Sequence, residues 1–272
     1  METVFNGILF SRDRKRFDQI RESTAGFSEL YVGRNIIQDD IFTVIENYAQ
    51  DKKKPLEWLR FPIDDKELCA CTFIRGGRIF VMLNSSLPMV KQIFAAAHEL
   101  YHIRRFLEDD APELATTGSI LESKTIDIGT TEKEEMEANA FAGLLLAPLD
   151  NLEQQIRIYR IDKEKVGIED ILTLIDIFAI PYKAMVLRLL EESIISEYQA
   201  AKLISLSSED IKERMRITGK ARRWDMTPVG FEKLGSLLEN MTINTKEEAL
   251  PQSRLESDWK RLEAIKQQYG IE

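Results

Sequence analysis

The two histidines of this chain stand four residues apart, in His98-Glu99-Leu100-Tyr101-His102, and no other feature constrains it as tightly. Residues i and i+4 of a helix share one face, so in a helix both imidazoles reach one metal ion. Glu99 lies beside them and is placed to act as a general base toward water. The residues leading in, Ile93-Phe94-Ala95-Ala96-Ala97, are apolar and mostly helix-favouring. They predict a buried helix, where a chance match on an exposed segment would be flanked by polar residues.

Two histidines leave a catalytic zinc one protein ligand short. Both cysteines, Cys69 and Cys71, lie upstream in a strand-like stretch, so the missing ligand is expected to be a carboxylate. The best source is the segment from Thr131 to Pro148, which starts acidic, turns apolar and stops at proline as a buried helix does. Within it Glu135 and Asn139 are i, i+4 partners. Glu135 would bind the metal while Asn139 hydrogen-bonds a ligand imidazole. Glu137 is the competing ligand, and a solvated acidic helix start is the plainer alternative for all these glutamates.

The chain of 272 residues, 44% hydrophobic, is long enough for one or two ordinary cores. No apolar run approaches the roughly 20 residues of a membrane span. Met1 to Arg14 does not read as a secretion signal. Cys69 and Cys71, i and i+2 on a strand, have poor disulfide geometry and read as small buried hydrophobes, which suits a reducing cytoplasm. A net charge of −9 argues against broad nucleic-acid binding.

Residues 11 to 50 read as two helical stretches, the second from Asp39 to Ala49. Leu68 to Ile74 and Arg78 to Leu83 read as strands joined by a hairpin turn at Arg75-Gly76-Gly77. The second of these strands, one short connection before the motif helix, is expected to be an edge that holds an extended peptide by strand addition. Residues 166 to 190 look like a helix-turn-helix broken at Ile180-Pro181. That segment offers only Lys183 and Arg188 as basic side chains, which favours a packed helical pair over a DNA reader. The basic cluster from Lys212 to Arg223 reads as a solvated face, and Arg254 to Tyr269 as a terminal amphipathic helix. The expected division is 1–155 and 156–272, with a soft boundary.

Together, Ala97-His98-Glu99-Leu100-Tyr101-His102 and the later Glu135-x-Glu137-Ala138-Asn139-x-Phe141-Ala142-x-x-Leu145-Leu146-x-Pro148 resemble the ImmA/IrrE family of metallopeptidases, over roughly residues 35 to 190. The first motif is shared by many zinc peptidases, and the second is more specific. The resemblance implies an α+β, zincin-like catalytic domain with a small sheet beside the HExxH helix, followed by a mostly helical C-terminal region. It implies Zn²⁺ on His98, His102 and Glu135, in a gluzincin-like set, with Glu99 activating water. It also implies the substrate class, helix-turn-helix repressors cut to release transcription, and an adjacent repressor gene in a mobile element would fit it. Tyr101 stands where many relatives have a small residue. With both histidines used as ligands, Tyr182 and Arg188 are the candidates for oxyanion support.

The resulting expectation is a cytoplasmic zinc endopeptidase whose C-terminal part, beyond about residue 195, selects the repressor. The alternatives are a catalytically silent repressor-binding module and a DNA-binding regulator. An intact Glu99 argues against the first, and sparse basic residues argue against the second.

Overall fold

The structure is a computed structural model that describes residues 7–108, 118–127, 130–227 and 233–269. Its helices, in chain order, are α1 (Leu9–Arg12), α2 (Arg14–Tyr31), α3 (Ile41–Asp51), α4 (Met89–Glu108), α5 (Ser123–Asp127), α6 (Lys133–Leu146), α7 (Leu149–Ile158), α8 (Ile168–Phe178), α9 (Tyr182–Glu191), α10 (Glu197–Ile204), α11 (Ser208–Thr218), α12 (Arg222–Asp225), α13 (Leu237–Lys246) and α14 (Gln252–Tyr269). Its strands are β1 (Leu56–Phe61), β2 (Leu68–Arg75), β3 (Arg78–Asn84), β4 (Ser119–Glu122) and β5 (Lys233–Leu234). They form one mixed five-stranded sheet in the order β4-β2-β3-β1-β5. The fold is therefore α+β, a small sheet with helices making up most of the rest.

The β2–β3 hairpin closes on Gly76 and Gly77, whose φ values are +57° and +75°. A two-residue turn of that hand matches the twist of the strands it joins and suits glycine at both central positions. Along β3, Ile79, Val81 and Leu83 are fully buried, and their partners on β2 are Ile74, Thr72 and Ala70. The alternation puts this face of the sheet against α4, whose Ala95, Ala96 and Ala97 are completely buried and small enough for close approach.

β3 is not the edge that its sequence suggested. It lies at the centre of the sheet, antiparallel to β2 on one side and parallel to β1 on the other. Its ladder groups are thus taken on both sides, and it cannot receive a peptide by strand addition. Among the described residues the edge beside α4 is β4, which pairs with β2 alone. Gly118 leads into β4 at φ +72°, and a Cβ there would stand 2.8 Å from the Thr72 carbonyl oxygen. Both the backbone conformation and the close approach to β2 require glycine.

One hydrophobic cluster runs from Ile8 to Trp224 and passes residues 155 and 195 without a break. Ile195, Leu203, Met215 and Trp224 all belong to it, so a cut near residue 195 would open the core. α8 and α9 join through buried Ala179, Ile180 and Pro181 and turn Ile171, Leu174, Phe178, Met185, Val186 and Leu189 into the same cluster. The residues beyond 233 are more loosely attached. β5 pairs with β1, while α13 and α14 pack on each other and bury Met241 and Leu262. Cys69 and Cys71 are both free thiols. Among the described residues no helix is long and apolar enough to cross a membrane.

Candidate metal centre

The motif helix α4 is buried on every side from Gln92 to Ile103. His98 and Glu99 are wholly inaccessible and His102 nearly so. Facing them is the first turn of α6, which carries Glu134 and Glu135. A helix N-terminus favours acidic side chains because its free N–H groups carry partial positive charge. The same turn therefore stabilises the helix and delivers two carboxylates to the imidazoles.

His98, His102 and Glu135 converge. Nε2 of His98 lies 3.1 Å from Glu135 Oε2, Nε2 of His102 lies 3.3 Å from Glu135 Oε1, and the two Nε2 atoms are 3.3 Å apart. A tetrahedral zinc with bonds of about 2.0–2.1 Å has ligand atoms roughly 3.3 Å from one another. The two imidazole nitrogens stand at that spacing, and each faces one oxygen of the Glu135 carboxylate at a similar distance.

The outer ring nitrogens explain why the inner ones are available. His98 Nδ1 stands 3.0 Å from Asn139 Oδ1, and the Asn139 amide nitrogen donates to the Thr125 carbonyl at 3.1 Å. That second bond fixes which way the amide points, so His98 donates from Nδ1 and turns the Nε2 lone pair inward. His102 Nδ1 stands 3.2 Å from Glu134 Oε1, an oxygen that Arg105 also contacts at 3.2 Å. Both imidazoles are held as metal-ligating histidines usually are, by an acceptor on the far nitrogen. Burial disfavours a charged His102, but the hydrogen bonds to Glu134 and Glu135 and the charges of Glu99 and Glu135 outweigh it and push its pKa up to about 10. Burial likewise opposes the Glu135 carboxylate, and the hydrogen bonds to His102 and His98 more than compensate, holding its pKa well below the usual range. The pocket thus favours positive charge at its centre.

Glu99 is the remaining group. Its Oε2 accepts a hydrogen bond from the Ser119 hydroxyl. Its Oε1 is buried with no hydrogen-bond partner among the described residues. A buried carboxylate oxygen left in this way is costly unless something polar completes it.

Glu137, the rival ligand, is engaged elsewhere. Arg16 holds it through two bonds, Nε to Oε1 at 2.8 Å and Nη2 to Oε2 at 2.7 Å, and the Tyr101 hydroxyl donates to Oε2. Tyr101 therefore serves to tie α4 to α6 and, through Glu137, to α2. Burial opposes the Glu137 charge, yet the bonds from Arg16 and Tyr101 hold its pKa below the usual carboxylate range. A depressed folded pKa means stability that is present above about pH 4.5 and lost as pH falls through the lower folded value. Glu137→Gln is accordingly expected to cost about 1–2 kcal/mol near neutral pH, discounted because Arg16 is partly solvated. The loss should shrink below pH 4, which urea unfolding of both proteins between pH 3 and 7 would check. A loss independent of pH would show that the Glu137 charge is not what holds the helices together.

Of the two candidates for oxyanion support, Arg188 is engaged away from the cluster. Arg188 is fully buried, with its guanidinium bound to Glu191 at 3.0 Å, to Glu192 at 2.5 Å and to the Ala147 carbonyl at 3.2 Å. Those partners consume its charge at the far end of α6. The Tyr182 hydroxyl has no hydrogen-bond partner among the described residues, and burial alone raises its pKa. Sequence reasoning missed Glu134, Arg16 and Ser119. The first was legible as a neighbour of Glu135 on the same helical turn. The other two lie far away in the chain and carried no local signal.

Residues 58–190 match the family model of the IrrE N-terminal-like domain, a peptidase family. The match starts at Trp58 on β1, later than the resemblance had suggested, and ends within α9, so it takes in the sheet from β1 to β4, the motif helix, α6 and most of the α8–α9 pair. A search of curated proteins returned no match.

Proposed function

With residues 58–190 a domain of the ImmA/IrrE peptidase family, we propose that this protein is a zinc-dependent endopeptidase that cuts a specific helix-turn-helix transcriptional repressor. The observation that carries the reading is the convergence of His98, His102 and Glu135, with Glu99 buried between the two histidines in sequence, its charge felt by His102 and its Oε1 without a partner among the described residues. The donor set of two neutral imidazoles and one carboxylate suits zinc. The substrate class rests on the family relationship.

A bound zinc would polarise the scissile carbonyl and lower the pKa of a water beside it. The chain's own residues supply the rest. His98 and His102 keep their protons on Nδ1, facing Asn139 and Glu134, so that neither imidazole consumes a proton from the reaction. Glu99 takes one proton from water at Oε1 as the oxygen attacks the peptide carbonyl carbon. It returns that proton to the leaving nitrogen as the C–N bond breaks, which leaves a carboxylic acid and an amine, and the acid's remaining proton then passes to the amine to give carboxylate and ammonium. Burial of His98, Glu99 and His102 limits competition from bulk water. β4 is the strand edge nearest Glu99, and its outer side is where an extended segment of the substrate would lie.

The test is a search for new protein termini. Zinc-loaded protein is incubated with an undenatured extract of the source cells, and the termini are identified by mass spectrometry. Cleavage at one or a few sites in a DNA-binding repressor is expected, abolished by a chelator and restored by zinc. New termini that persist in chelator would contradict metal-dependent hydrolysis, and cleavage confined to other proteins would contradict the repressor assignment.

A further inference from the structure

We propose that Ser119 is the positioning residue for Glu99, fixing one carboxylate oxygen so that the other stands ready as the base. The inference rests on the reading of Glu99 as a general base and goes on to name what orients it. Ser119 opens β4 and is buried. Its hydroxyl sits between two groups, accepting from the Thr72 backbone N–H at 3.2 Å and donating to Glu99 Oε2. A carboxylate has no proton to give, and a backbone N–H can only donate. The hydroxyl proton is therefore committed to Glu99, and the three groups form one polarised chain from sheet backbone to carboxylate.

The terminal torsion of a glutamate is broad, so a helix alone does not set the plane of the Glu99 carboxylate. The bond to Ser119 does. It leaves Oε1 as the oxygen without a partner, which is the one a reacting water can use. The backbone is shaped to allow this. Gly118 brings β4 closer to Thr72 than any other residue would permit, and this closeness puts the Ser119 hydroxyl within reach of the Thr72 N–H.

The test uses the full-length, zinc-loaded protein and acetohydroxamate as probe. A hydroxamic acid binds zinc as its anion and passes its proton to a carboxylate at the metal, so its affinity reports a correctly placed base. Zinc content, thermal midpoint and acetohydroxamate affinity are measured for wild type, Ser119→Ala, Ser119→Thr and Glu99→Gln. Ser119→Ala is expected to keep one zinc and its fold but to bind the probe about tenfold more weakly, the size of a lost bond to a charged group. Ser119→Thr, which retains the hydroxyl, should recover most of the affinity, a rescue that a purely structural role does not predict. Wild-type affinity in Ser119→Ala beside weakened binding in Glu99→Gln would overturn the role of Ser119 alone. So would loss of zinc from Ser119→Ala. Undiminished binding in Glu99→Gln would remove the base itself, and with it both readings.

Discussion

Glu135→Gln will lose zinc at concentrations that leave Glu137→Gln fully loaded. Glu135 is the carboxylate whose two oxygens lie 3.1 and 3.3 Å from the two Nε2 atoms, and an amide in its place offers a neutral, weaker donor. Loss of an outer partner of a ligand typically costs about 10- to 100-fold in metal affinity, so loss of a ligand charge should cost at least about 100-fold. Glu137 faces Arg16 and Tyr101 instead, and its replacement should change zinc affinity only a few-fold. Thermal melting with and without zinc separates the two, because a ligand that binds only the folded state raises its midpoint. The zinc-dependent rise should be large for wild type and Glu137→Gln and small for Glu135→Gln. The reverse order would make Glu137 the ligand and would require α6 to turn relative to α4.

Glu99→Gln will keep zinc and fold while losing about 10²- to 10⁴-fold in turnover, the usual contribution of a general base. Glutamine has the shape of glutamate, and its carbonyl oxygen still accepts from Ser119, so the buried packing around position 99 survives. The loss should fall on kcat, because the missing proton transfer belongs to the chemical step and not to substrate binding. A peptide spanning the identified cut site serves as substrate. Near-normal turnover in Glu99→Gln would exclude Glu99 as the base.

The parts of the site that lie one helical turn apart were legible in the sequence. His98 and His102 share a face by spacing alone, and so do Glu135 and Asn139. The choice between Glu135 and Glu137 was not legible, because residues i and i+2 point to different sides of a helix and the sequence does not say which side meets α4. In the fold Glu137 is bound by Arg16, 121 residues before it in the chain, and by Tyr101. The hairpin from Leu68 to Asn84 was visible through its alternation and its glycines. Its neighbours were not. β1 pairs in parallel with β3 across an intervening strand, and four-residue β4 is too short to show a period. Without those two strands β3 looked like an edge, and β4, an edge strand among the described residues that carries Ser119, went unseen. Arg188 shows the converse limit. A lone basic residue on a helix read as a candidate for oxyanion support, whereas the fold spends it on buried carboxylates.

Two imidazoles and Glu135 are proposed to hold one zinc beside the free oxygen of Glu99. An anomalous difference map from zinc-loaded crystals tests it most directly. One peak per chain is expected, about 2.0–2.2 Å from His98 Nε2, His102 Nε2 and a Glu135 oxygen, with Asn139 and Glu134 still on the outer ring nitrogens. A peak bound by Glu137, or zinc held only at other residues with the His98–His102 pair left bare, would contradict it.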